Sequence, residues 1–164
     1  MDKTKALLLF LFSLLQLVAV GRAAPLSREA VRSKVKRNAE QLLRKIEMYS
    51  QLQFPSGPTI NSPPDSVDGL SSIVVVLEGY DSLLSENLDG LPQLKLEVSS
   101  LRGYLNDWRQ GLCGDLRPKP SLQGRLAELQ SRKQYVYTVS IEALMGLKDF
   151  LGQLLKNLDL LGTC

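Results

Sequence analysis

Hydrophobic residues recur at spacings of three and four in four stretches of the chain, a pattern that predicts four amphipathic helices. The first stretch runs from about Ser27 to Leu52 and the second from Val67 to Leu88. The third runs from Leu94 to Leu112, and the fourth from Val136 to about Leu161. Because the fourth carries the widest apolar stripe, we expect it to be the most buried.

The second stretch also allows another interpretation. Residues Ile73 to Leu77 form a β-branched run that fits a strand as well as a helix. Helical spacing continues through Tyr80 to Leu84, however, and no stretch of comparable length alternates with a period of two. We therefore predict a helix and an all-α fold.

The start of the chain has the pattern of a secretory signal peptide. A basic beginning precedes an apolar run from Ala6 to Val20, and small residues follow it. That run spans about 22 Å as a helix, which is too short for a membrane anchor, and the rest of the chain has no comparable run. We predict a signal peptide over residues 1–23, cleavage after Ala23, and a single secreted domain over residues 24–164 that does not insert into a membrane.

The connections between helices restrict how they can be arranged. Residues Phe54 to Asp68 include four prolines and show no periodicity, which indicates a long loop. Extended, this loop reaches about 50 Å, more than the roughly 39 Å length of the first helix. The first two helices can therefore run parallel. Asp89 to Pro92 allows only a tight turn, so the third helix must reverse direction.

Two cysteines, Cys113 and Cys164, determine the direction of the fourth helix. An even pair in an oxidising compartment predicts one disulfide, which needs Cα atoms about 4.4–6.8 Å apart. Each cysteine follows the end of a predicted helix, so helices three and four must end at the same pole. The result is an up-up-down-down four-helix bundle of the long-chain cytokine type, with part of Leu122 to Lys133 serving as the crossover.

The composition offers no candidate for catalysis, a metal or a cofactor. The chain has no histidine, and two cysteines are too few for a cysteine-based zinc site. No phosphate loop, nucleophile elbow or paired-carboxylate motif occurs. The predicted mature chain has 17 basic and 16 acidic residues, a balance that gives no reason to expect nucleic-acid binding. We predict a protein that is not an enzyme.

Charge is distributed unevenly between the first two helices. The first carries seven basic residues against three acidic ones, whereas Asp65 to Asp89 carries six acidic residues and no basic one. This asymmetry fits electrostatic steering toward a receptor, and it also fits two solvated faces of unequal composition.

The C-terminal segment from Ala143 to Cys164 resembles the end of the leptin family, with its leucine register, its Leu-Asp-Leu and its terminal cysteine. Three further features resemble the same family: the position of Cys113, Tyr80 in the second helix, and the Leu101-Arg102 pair in the third. The resemblance implies a secreted hormone that signals energy status through a class I cytokine receptor and is monomeric without it. The family's Gly-Leu-Asp-Phe-Ile-Pro segment is not found in the first long loop, so its receptor contacts there are not transferred.

Two receptor-contacting surfaces follow from helical spacing and from this resemblance. With Leu42 and Ile46 facing inward, one flank of the first helix presents four polar residues, and leptin-family positions on the third helix add four more. The predicted receptor-binding residues are Lys34, Arg37, Gln41, Lys45, Gln93, Ser100, Gly103 and Tyr104. They could instead be ordinary solvent-facing residues, most of which are energetically silent even in real interfaces.

The family's receptor-activation site falls on Thr138 and Val139. Counting 100° per residue from an inward Leu147 points Thr138 outward and puts Val139 at a border. The same count turns Val136 and Ser140 inward, and it exposes Ile141 and Met145. For Val139, core-edge packing is the alternative to a receptor contact.

Two other function classes stay open from the sequence. Another long-chain cytokine, growth-hormone-like or interleukin-6-like, would share the fold, although a growth hormone normally shows a second, C-terminal disulfide. A secreted helical lipid carrier would need an internal cavity, for which a core of Leu and Val leaves little room.

Overall fold

The computed structural model describes residues 27–54, 65, 68–113, 120–122 and 124–161. Within these ranges all regular structure is helical, so the all-α prediction is confirmed. The predicted signal peptide and Cys164 lie outside the described residues. The helices are α1 (Arg28–Gln53), α2 (Leu70–Leu83), α3 (Leu91–Cys113), α4 (Arg125–Ser131) and α5 (Val136–Asn157), followed by a 3-10 turn (Leu158–Leu160).

Helix α1 begins at an N-cap that its sequence supplies. The Ser27 hydroxyl accepts a hydrogen bond from the Ala30 amide at 3.2 Å, which satisfies one amide of the first turn. The buried residues of α1 recur at spacings of three and four, as the sequence predicts. They are Val35, Ala39, Leu42, Ile46 and Ser50.

Helix α2 settles the ambiguous second stretch. Ile73, Val74 and Leu77 are buried together on one helical face, so the strand interpretation is wrong. The helix is shorter than the predicted Val67 to Leu88 because Ser140 of α5 closes its end. The Ser140 hydroxyl donates to the Leu83 carbonyl at 3.0 Å and accepts from the Ser85 amide at 3.0 Å. Leu84 has an extended backbone, and turns follow at residues 86–87 and 89–90.

The four long helices form a ring around one hydrophobic core. Helix α1 packs against α3 and α5, and α2 packs against the same two helices and against α4. This arrangement puts α1 and α2 on diagonal corners. The basic and acidic helices of the sequence therefore lie on opposite sides of the bundle.

Side-chain pairs between neighbouring helices run in opposite numerical order. On the α2–α3 side, the Asp81 carboxylate lies 3.8 Å from the Arg102 guanidinium group, and the Glu86 carboxylate lies 3.4 Å from the Lys95 ammonium group. On the α1–α5 side, Arg32 lies 3.8 Å from Asp159, and the Ser50 hydroxyl lies 3.7 Å from the Met145 sulfur. In each pair of helices, residue numbers rise along one partner as they fall along the other.

The crossover contains the short helix α4, which a buried polar cluster attaches to the bundle. The Asp65 carboxylate accepts hydrogen bonds from the Tyr80 hydroxyl and, at 3.3 Å, from the Leu126 amide. Next to it, Arg125 pairs with Asp149 of α5 at 3.0 Å. Asp65, Tyr80 and Arg125 are all buried. The cluster therefore joins the end of the first long loop to α2, α4 and α5.

The pole at the start of α1 is also where α3 and α5 end. Arg28 and Val31 line one groove with Trp108 and Leu112. Cys113, the last residue of α3, is half-buried at this end. Its pairing with Cys164 stays a prediction.

Candidate functional site

The receptor-binding residues predicted on α1 and α3 lie along the flank where these two helices pack together. The Lys34 ammonium group lies 4.1 Å from the centre of the Tyr104 ring, within the range of a cation–π contact. Lys45 forms an ion pair with Glu97. These two contacts are about 16 Å apart along α1, so the flank is continuous over three turns.

The predicted residues between and beside these contacts are accessible. Arg37 and Gln41 of α1 are exposed, as are Gln93, Ser100 and Gly103 of α3, and Tyr104 is half-buried beneath Lys34. We name this surface, with Lys34 and Lys45, the α1–α3 face. The structure shows all eight predicted residues to be at least partly exposed, and their contact with a receptor stays a prediction.

Gly103 is an open point on the α1–α3 face. A Cβ built at this position has no neighbour within 4 Å, so nothing inside the fold requires a glycine. Glycine in a helix interior costs about 0.5–1 kcal/mol relative to alanine. A partner whose backbone approaches the helix closely would give this position a reason to lack a side chain.

The second predicted surface is changed by the structure. Thr138 is exposed, as predicted, but Val139 is 1% exposed and belongs to the core. Val136 is 52% exposed although the spacing turned it inward, while Ser140 is fully buried as expected. Ile141 and Met145 are half-buried instead of exposed.

These differences have a physical cause. Helix α5 packs against α1, α2 and α4, so its buried arc is wider than the stripe centred on Leu147. Val139 falls within the widened arc, whereas Val136 is the first residue of the helix and projects at its end. Helical spacing predicts the direction in which a side chain points, but not how many other helices pack around it.

The structure also shows an aromatic patch next to Thr138 that the helical spacing did not predict. The Phe54 ring lies 6.3 Å from Tyr49 and meets Tyr137 edge-on at 6.4 Å, which joins the end of α1 to the start of α5. Tyr137 is 57% exposed and Tyr135 is 61% exposed. In the sequence, the two tyrosines on either side of Val136, at the start of a predicted helix, are the feature that could have indicated this patch. We name Tyr49, Phe54, Tyr135 and Tyr137 the aromatic patch.

Two residues of α2, Tyr80 and Asp81, have pKa values shifted by their surroundings. Burial, with the hydrogen bond to Asp65, raises the pKa of Tyr80 far above its ordinary value. Burial also raises the pKa of Asp81, against the opposing effect of Lys95 and Arg102. Both groups lie on α2, away from the two candidate surfaces. Over the described ranges, no cluster of three metal-ligating side chains occurs and no helix is long and apolar enough to span a membrane.

Comparison with known proteins gives two relatives over the full length. The chain is 41% identical over 166 residues to a curated protein named Leptin from Tetraodon nigroviridis, with 100% of both chains aligned. It is 38% identical over 165 residues to Leptin from Takifugu rubripes, again over 100% of both chains. No protein-family model matches the chain, and no solved structure matches it.

Proposed function

This chain belongs to the leptin family, and we propose that it is a secreted hormone that binds and clusters a class I cytokine receptor to signal energy status. It acts by binding alone, without a cofactor, and is monomeric in the absence of receptor. The observation that carries the proposal is the continuous α1–α3 face, which presents basic and small residues on a rigid pair of helices.

The proposed architecture is the up-up-down-down bundle with a Cys113–Cys164 disulfide. The opposite numerical order of contacts along α1–α3, α1–α5 and α2–α3 supports this connection. The half-buried position of Cys113 at the pole where α5 ends supports the disulfide. Non-reducing peptide mapping of the secreted protein should recover the two cysteine peptides linked, and recovery of two separate thiols would refute both proposals.

Secretion is proposed from the predicted signal peptide. The N-terminal sequence of the protein collected from the medium of expressing cells should start at Ala24. Retention of the apolar run in the secreted chain would contradict the assigned domain boundary.

For the first receptor contact, we propose the α1–α3 face. Arg37 contributes positive charge to an exposed strip, and Lys45 lies on the same strip in an ion pair with Glu97. Exposed charges of this kind mainly raise the association rate with a partner of opposite charge. Ser100 has a short side chain and Gly103 has none, so a receptor surface can approach the α3 backbone closely at these exposed positions. We therefore expect binding here to depend on both charge and close approach.

Charge reversal tests this face. Arg37→Glu combined with Lys45→Glu should lower the association rate constant for the receptor ectodomain by about tenfold at low salt, with a smaller effect at high salt. Lys36→Glu combined with Lys156→Glu is the matched control, because both residues are exposed and the net charge change is the same. If both double variants bind alike in surface plasmon resonance, the face is misplaced.

For activation, we propose a separate surface at the start of α5 around Thr138. Thr138 supplies an exposed side chain, and Val139 holds its turn against the core from beneath. The aromatic patch extends the exposed apolar area beside it. Tyrosine is enriched among the residues that contribute most to protein interfaces, so this patch suits the contact with a second receptor copy.

One double and one single variant separate the role of the exposed side chains from that of Val139. Thr138→Ala with Tyr137→Ala should leave receptor capture within about threefold and reduce signalling in reporter cells at least tenfold. Val139→Ala should instead lower the melting temperature, because it removes buried methyl groups. Equal losses of capture and signalling in the Thr138 and Tyr137 variant would show that the surface is not a separate activation site.

A further inference from the structure

Pairs of adjacent basic residues occur three times in the predicted mature chain. Lys36-Arg37 and Arg44-Lys45 lie inside α1, and Arg132-Lys133 lies in the turn between α4 and α5. Serine endoproteases of the secretory pathway cut after such pairs. All three pairs match the specificity of such proteases, and the fold determines which of them is accessible.

The two pairs in α1 are protected by the core. A protease binds about eight residues around the cut in an extended form, so a helix must open locally before it is cleaved. Opening α1 around Lys36-Arg37 withdraws Val35 and Ala39 from the core, and both are fully buried. Opening it around Arg44-Lys45 withdraws Leu42 and Ile46 in the same way.

The third pair is different because no core residue lies near the cut. None of the side chains from Gln130 to Tyr137 is buried, and the nearest buried ones are Leu129 and Val139. Tyr135, the N-cap of α5, makes no side-chain capping hydrogen bond, so no cap side chain satisfies the amides of the first turn. Within the residues that a protease would bind, the ring contact of Tyr137 with Phe54 must break, but both side chains lie outside the core. This segment can open without exposing apolar core.

We propose that the Lys133–Gln134 peptide bond is a regulatory cleavage site for an endoprotease with paired-basic specificity. Hydrolysis breaks the amide C–N bond and adds one water molecule, which leaves a carboxylate on Lys133 and an ammonium group on Gln134. Helix α5 stays packed in the core after the cut, and the proposed Cys113–Cys164 bridge still links both products.

An ion pair controls access to the bond. The Arg132 guanidinium lies 2.6 Å from the Glu142 carboxylate of α5 and 3.5 Å from Glu128 of α4. Arg132 must leave Glu142 to enter the specificity pocket of a protease. The pair therefore slows cleavage without preventing it.

The consequence rests on the proposed function. Thr138 lies five residues after the cut, in the first turn of α5, whereas the α1–α3 face is on other helices. Cleavage frees the chain end before that turn and disorders the activation surface. The nicked hormone still binds receptor and no longer activates it, which makes it a competitive antagonist.

The cleavage is tested with the disulfide-intact mature protein and a subtilisin-type convertase of paired-basic specificity. Mass spectrometry should show the gain of one water, and reduction should release fragments 24–133 and 134–164. Cutting at the two α1 pairs should be on the order of 100-fold slower in the native protein. The urea-unfolded chain should be cut at all three pairs. A first cut within α1, or no cut at Lys133, overturns the proposal.

Two variants and one functional comparison complete the test. Glu142→Gln should speed cleavage about two- to fivefold, and Arg132→Gln with Lys133→Gln should abolish it. Nicked protein should keep receptor capture within about threefold while its signalling falls at least tenfold. Nicked protein that signals like the intact form overturns the regulatory role. Failure of the intact protein to signal would refute the proposed hormone function instead, and the cleavage result would still stand.

Discussion

Replacing Asp65 with alanine removes the carboxylate to which both Tyr80 and the Leu126 amide donate. The Tyr80 hydroxyl is fully buried, so it loses a partner that water cannot replace. Each buried donor left unpaired costs about 1–3 kcal/mol, so Asp65→Ala, which leaves two unpaired, should lower the free energy of unfolding by about 2–6 kcal/mol. For a domain of this size that corresponds to a fall in Tm of roughly 6 °C or more.

The expected result is specific to the cluster and not to acidic residues in general. Asp68→Ala is the matched control, because Asp68 belongs to the same loop and is exposed. It should change the free energy of unfolding by less than about 0.5 kcal/mol. Tyr80→Phe removes one of the two hydrogen bonds and should cost about 1.5–3 kcal/mol.

Urea denaturation of the four single and double variants measures the coupling. Asp65→Ala and Tyr80→Phe share one hydrogen bond, so their double variant should cost less than the sum of the two by about 1–3 kcal/mol. Additive costs, or an Asp65→Ala variant as stable as Asp68→Ala, would refute the idea that this cluster holds the crossover helix to the bundle.

Further predictions concern pH, the α1–α3 face and the end of α2. Burial raises the pKa of Tyr80 above its ordinary 10.0, so the folded protein keeps this proton where the unfolded chain loses it. The contribution of Tyr80 to the free energy of unfolding is therefore constant below about pH 10 and decreases above it. In urea denaturation at alkaline pH, the free energy of unfolding of Tyr80→Phe should decrease less steeply with pH than that of the unsubstituted protein. Gly103→Ala should raise Tm, gaining about 0.5–1 kcal/mol, yet weaken receptor binding. Ser140→Ala should cost about 1–3 kcal/mol by thermal denaturation, because the Leu83 carbonyl loses its donor.

Helical content and the inward positions of the long helices were predictable from the sequence. A period of three to four residues along α1 can bury only one stripe, and Val35, Leu42 and Ile46 form that stripe in the structure. The accessibility of the residues beside that stripe was predictable for the same reason, and Lys34, Arg37 and Lys45 are all exposed. Their role in receptor binding stays a prediction.

The tertiary structure decided what depends on the number and position of neighbours. Val139 is buried because α5 packs against three other helices, and Val136 is exposed because it is the first residue of α5; no periodicity contains that information. Asp65 lies in a proline-rich loop, for which the local sequence predicts only an exposed, irregular segment. It is buried because Tyr80 and Leu126, distant in the chain, bring two donors to the same point. The sequence by itself determines which residues can share a helix face, whereas long-range contacts determine which faces and loops meet.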